Sequence, residues 1–160
     1  MSYEEDLSGL PEYSDRWKTM QGAPMPTFSE CYKVGLVGSF EYDYVKDPLD
    51  LKNKLFSIFD NIEIRPKCLV LNPVMNGIPA IGYGIARYCV RMRIVGVSVA
   101  DKATMDTDTL FIEGDAWGDE TYKFVTSIDK LIVAAPDEHA KKIISMLKLT
   151  APEKEIVYVA

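Results

Sequence analysis

Histidine is almost missing from this 160-residue chain: His139 stands alone, and the three cysteines, Cys31, Cys68 and Cys89, are widely spaced with no C-x-x-C. One imidazole and three dispersed thiols do not form a ligand pair at short spacing, so no metal centre is expected. A cysteine nucleophile would have to recruit that single His139, and thiols set in apolar patterns are by default buried and structural. Basic runs are missing as well. Lys and Arg number 18 against 24 acids, a net charge of −6, which leaves no electrostatic footprint for DNA or RNA, and no nucleic-acid partner is expected. No stretch approaches the roughly 18 consecutive apolar residues of a membrane helix, so no membrane partner is expected either. The opening MSYEEDLSGL is acidic where a signal peptide is basic, which points to a reducing, cytoplasmic setting. What remains, 48% apolar and 26% charged residues, is the composition of one folded domain with a real core rather than of a disordered chain.

Residues 1–31 read as an N-terminal arm, with Pro11, Pro24, Pro26 and isolated aromatics in no clear period. The arm is expected to drape over the domain or over a neighbouring subunit, and a homo-oligomer is expected. From residue 32 to 160 the pattern becomes regular. Five short runs, apolar on both faces, begin at Lys33, Cys68, Arg93, Lys130 and Glu155. Between them, apolar residues recur at helical spacing: Leu51, Leu55, Ile58; Ile78, Ile81, Ile85; Tyr122, Val125, Ile128; Ala140, Ile143, Leu147. Asp47-Pro48 offers an N-cap and a first-turn proline for the first helix. Thr109–Asp115 reads either as a short extra strand or as part of the connection. Strictly alternating strand and helix, with doubly buried strands, imply a parallel sheet covered on both sides. The expected architecture is an α/β three-layer Rossmann-like sandwich of order 3-2-1-4-5.

In such sheets ligands sit beyond the carboxyl ends of the strands, where the connections reverse direction. That places Gly38-Ser39-Phe40, the loop containing Asn72, Asn76 and Gly77, and the Pro136-Asp137 turn on one rim. Gly38-Ser39 brings backbone and a hydroxyl near a ligand, and Asn76-Gly77 sets amides at a helix N-terminus. Gly82 and Gly84 lie inside a helix, not in a G-x-G-x-x-G turn, so no cofactor motif is present; they suit close packing. Glu113, Asp115, Asp119 and Glu120 form an acidic cluster, and Glu138 follows the fourth strand. Carboxylates of this kind act as acid, base or nucleophile, or simply cap a helix.

KVGLVGSF, LVLNPVMNGIPAIGYGIARYC and GDETYKFVTSIDKLIVAAPDEHAKKI, taken in order, resemble the SLOG superfamily of Rossmann-like nucleotide-binding domains, in particular its YspA-like branch. The resemblance spans roughly residues 33–160. It implies a protein that binds a nucleotide or nucleoside derivative, as a sensor or by sequestering it. Through related deoxyribosyltransferase-like enzymes it also implies an N-glycoside hydrolase or transferase with Glu120 or Glu138 as nucleophile. A third expectation is a degenerate fold used as a protein-interaction module. Two positions depart from the family. Phe40 stands where an arginine is common, and Ala135-Pro136-Asp137-Glu138-His139 replaces a glycine-rich turn. Both changes weaken phosphate binding, to micromolar or poorer.

Overall fold

The computed structural model describes residues 28–64, 66–72, 74–90, 92–99, 108–112 and 117–159. The expected arm therefore lies outside the described residues up to position 27. Doubly apolar runs become strands β1 (Tyr32–Gly38), β2 (Lys67–Leu71), β3 (Arg93–Val99), β5 (Lys130–Ala134) and β6 (Glu155–Val159), with β4 (Asp108–Ile112) between the third and fourth of these. Every pairing is parallel, and the order is β4-β3-β2-β1-β5-β6. This is the expected 3-2-1-4-5 arrangement with Asp108–Ile112 added as a parallel strand outside β3. β1 lies in the middle, Gly35 opposite Val70 on one side and Leu131 on the other.

Alternation along the strands splits the core into two layers. On one face Leu36, Leu69 and Ile132 meet helices α1 (Leu51–Asp60) and α2 (Gly77–Gly84). On the other, Val37, Val70 and Val133 meet α3 (Trp117–Ser127) and α4 (Glu138–Thr150). Leu36 Cδ2 lies against Gly82, so the helix glycine serves close packing, as its position inside the helix implies.

The first helix is capped differently from expectation. α1 begins at Leu51, three residues after Pro48, and the residue just ahead of it, Asp50, is left-handed (φ 53°) with no side-chain cap. The buried Asp47 carboxylate reaches across the turn instead. Its oxygens accept from Leu51 N (2.8 Å), Lys52 N (3.0 Å) and the Tyr42 hydroxyl (2.7 Å). At the other end the buried Lys67 Nζ donates to Phe59 O (2.5 Å) and Ile62 O (3.2 Å), a cation where the helix dipole favours one. Past Gly84 the helix widens into a π turn over Ile85–Val90. No helix among the described residues is long and apolar enough to cross a membrane.

Candidate functional site

Three loops meet at the carboxyl end of β1, and backbone holds them together. Ser39 N donates to Ala135 O (2.9 Å), Ile78 N donates to Ser39 O (2.9 Å), and Ser39 Oγ accepts from Glu41 N (3.1 Å). Gly77 opens α2 at φ 60°, and a Cβ there would overlap the Ser39 carbonyl oxygen and stand 2.6 Å from the Phe40 carbonyl carbon. A Cβ at Gly38 would overlap the Ala134 carbonyl oxygen and approach Ile78 Cγ1 to 2.6 Å. Both positions exclude side chains because main chain passes against main chain. The amide of Ile78, one of those that a helix N-terminus offers to an anion, is thus already occupied by protein. Ala135 adopts φ 43°, unusual for a residue with a Cβ, and so aims its carbonyl at Ser39.

Beneath these loops lies a cavity of about 20 Å³, the room of roughly one water. Gly38, Phe40 and Asn72 line it from the strand ends, together with Thr121, Phe124 and His139 from the helices. Within that lining the rings of Phe40 and His139 lie against each other, with centroids 4.9 Å apart and planes tilted by 41°. Burial pushes the His139 imidazole below its usual range; the Asp137 carboxylate opposes this and Lys142 reinforces it. The shift favours the uncharged ring. Asn72 and the buried Thr121 supply the remaining polar edges. No Lys, Arg, Asp or Glu lines the cavity among the described residues.

The other expected site residues are placed as follows. Ser39, Asn76, Gly77 and Pro136 belong to the rim but not to the cavity wall. Asp137 caps α4, its Oδ1 accepting from Ala140 N at 2.9 Å. Glu138 lies on the outer face of α4, with its side chain 86% exposed and 3.2 Å from Lys141 Nζ. Glu120 lies in the first turn of α3, next to Thr121; its side chain, like Glu113 and Asp115, is outside the described residues. Tyr42 and Tyr44 pack on the α1–α2 layer and do not line the cavity, whereas Phe40 does. Arg87, the basic residue of this segment, lies ten residues beyond Gly77, about 15 Å along a helix; its Nη1 donates to the Tyr83 hydroxyl at 3.0 Å. The thiols behave as structural groups. Cys31, Cys68 and Cys89 are buried, and burial pushes Cys68 up to about 12. Among the described residues no three metal-binding side chains cluster.

Thr121, Phe124 and Val97 contribute to the wall without having been singled out by the sequence. The signal was available for two of them: Thr121 and Phe124 are three apart on the inward side of α3, and Phe124 is 4% exposed. No family model, curated protein or solved structure matches the chain.

Proposed function

We propose that the protein binds a small, planar, uncharged ligand of the nucleoside or nucleobase class beyond the ends of β1 and β5, and acts as a sensor or a sequestering protein. The observation that carries this reading is the lining of the cavity. It joins two aromatic rings, Phe40 and Phe124, to the polar side chains of Asn72, Thr121 and His139, with no described cation to meet a phosphate. Such a set suits the face and edge of a heterocycle. A ligand of this size requires the lining to open, because the cavity holds about 20 Å³. A thermal-shift series of bases, nucleosides and their phosphates tests this. Nucleosides are expected to raise the melting temperature, added phosphates to give no further gain, and Phe40→Ala to erase the shift.

The size of the cavity favours one second reading, a Rossmann-like domain used for protein contact. Silence across the whole ligand series, with the Phe40→Ala variant as silent as the parent, selects it. The glycosidase reading gains no support from the placement of Glu138, which is turned away from the cavity.

A further inference from the structure

β6 ends the sheet on one side, and no described strand pairs with its outer edge. Its residues, Glu155–Val159, are one acid followed by four apolar side chains, yet none of them is buried. β2, of similar sequence, is buried throughout, and β5 is buried at every residue but its first. Ile156 packs only partly on the layer beneath α3 and α4, and Val157 and Val159 only partly on the layer beneath α1 and α2. Tyr158 is 59% exposed. The core therefore thins at this edge on both faces, beside a backbone edge that no described strand satisfies. That combination admits a further strand.

Charge and residue order select the strand that fits. The chain carries a net charge of −6, so two copies meet at least cost where neither is charged. Ile156–Val159 holds no charged residue, and Glu155 lies 3.8 Å from Lys130 of its own chain. The sequence around the opposite edge strand, β4, differs: Asp101, Asp106, Asp108, Glu113 and Asp115 are set against Lys102 alone, the kind of charge by which edges resist pairing. Laid antiparallel to itself about Val157, β6 sets Ile156 opposite Tyr158 of the second copy and Glu155 opposite Val159. No like charges face each other, and the exposed ring covers the half-buried isoleucine. A parallel pair in register would instead set Glu155 beside Glu155.

We propose that the β6 strands of two copies pair antiparallel about a two-fold axis at Val157, joining the six strands of each copy into one continuous sheet. The proposal stands independently of what the cavity binds. The two half-sheets run in opposite directions, so the two rims point to opposite ends of the joint sheet. Five residues of strand a side are few against the roughly 20–30 of a stable complex, so the dimer exchanges with monomer.

The test uses the full chain. Sedimentation velocity is expected to show a reversible dimer whose share grows with concentration up to about 1 mM. Tyr158→Lys, at an exposed position, is expected to keep the circular dichroism of the parent and weaken association about tenfold, because two symmetry-related contacts with Ile156 are lost. Introduced thiols read the register. The two Val157 Cα atoms lie about 4.5–5.5 Å apart across the axis, within disulfide reach, so Val157→Cys is expected to link copy to copy in air. The two Glu155 positions are offset by four residues, about 13–14 Å, so Glu155→Cys is expected not to link. The parent chain controls for Cys31, Cys68 and Cys89, which are buried. A chain that stays monomeric overturns the proposal, as does a dimer that Tyr158→Lys leaves unchanged. Failure of Val157→Cys to link, or linking at position 155 as readily as at 157, overturns it equally.

Discussion

Replacing Gly77 with alanine isolates the backbone contact on which the rim is built. The residue sits at φ 60°, where a Cβ costs about 1–2 kcal/mol on conformational grounds. The new Cβ also overlaps Ser39 O and lies 2.6 Å from the Phe40 carbonyl carbon, main-chain atoms that cannot rotate away. Relieving that overlap means moving the 39–40 backbone, at a cost of about 1–3 kcal/mol typical of overpacking. Alanine recovers roughly 0.5–1 kcal/mol by restricting the unfolded chain. The net loss expected is about 2–3 kcal/mol, or about 5–10 °C in melting temperature for a chain of this size. Denaturant unfolding followed by circular dichroism measures it, with an unchanged m-value confirming that the same structure is being compared. Gly77→Asn separates the two causes, because asparagine tolerates left-handed backbone yet keeps the Cβ. A loss equal to that of alanine assigns the effect to the overlap; a much smaller one assigns it to φ. A loss below about 0.5 kcal/mol for Gly77→Ala would refute the argument that the two main chains are pressed together.

Three further outcomes are expected. Burial, and then the Asp47 carboxylate against the donating Leu49 amide, pushes the Tyr42 phenol up to about 12. The folded state thus holds this proton more tightly than the unfolded chain, so stability is intact below about pH 10 and falls from there toward about pH 12; Tyr42→Phe is expected to flatten this slope in alkaline denaturation curves. His139 has the opposite sense, its folded value lying below the ordinary 6.5. Its contribution is present above about pH 6.5 and is lost as acid protonates the ring, so an NMR titration midpoint at or above 6.5 contradicts the burial described. On α4, Asp137→Ala is expected to cost about 1 kcal/mol through the lost cap, and Glu138→Gln no more than about 0.5 kcal/mol; a Glu138→Gln variant that folds normally yet loses ligand binding would overturn its placement outside the site.

A parallel, covered sheet was legible because every strand from β1 to β6 save β4 is centred on a short apolar run, and such runs alternating with amphipathic helices need cover on both faces. β4 was only half legible: Thr109–Asp115 mixes acids with Leu110, Phe111 and Ile112, as strand and connection alike can do. The α1 cap was misplaced by three residues because Asp-Pro has the shape of a helix start. Nothing local reveals that the Asp47 carboxylate would arch over a further turn to reach Leu51 and Lys52. The π turn at Ile85–Val90 was also invisible, since its residues continue the apolar pattern of an ordinary helix. At the site, helical geometry held more than was drawn from it. Glu138 is two positions from the buried Ala140, about 200° around the helix, and so faces outward. His139 is four before the buried Ile143 and shares its side. What the sequence could not convey was the cavity's narrowness, because its wall is assembled from strands and helices far apart in the chain.

The central position of β1 also sets the order in which a growing chain can fold. β1 finds its first partner in β2, but its second, β5, follows at a separation of 96 residues, closed by Lys33 and Asp129. Until the ribosome has released residue 134, β1 carries one unpaired edge, a template for the wrong partner. Synthesis at about 5–20 residues per second keeps that edge open for about 5–20 s. Slowing translation after β2 is therefore expected to favour aggregation of the nascent protein, and a circular permutant that begins at α3 and brings β5 forward of β1 to shorten that exposure.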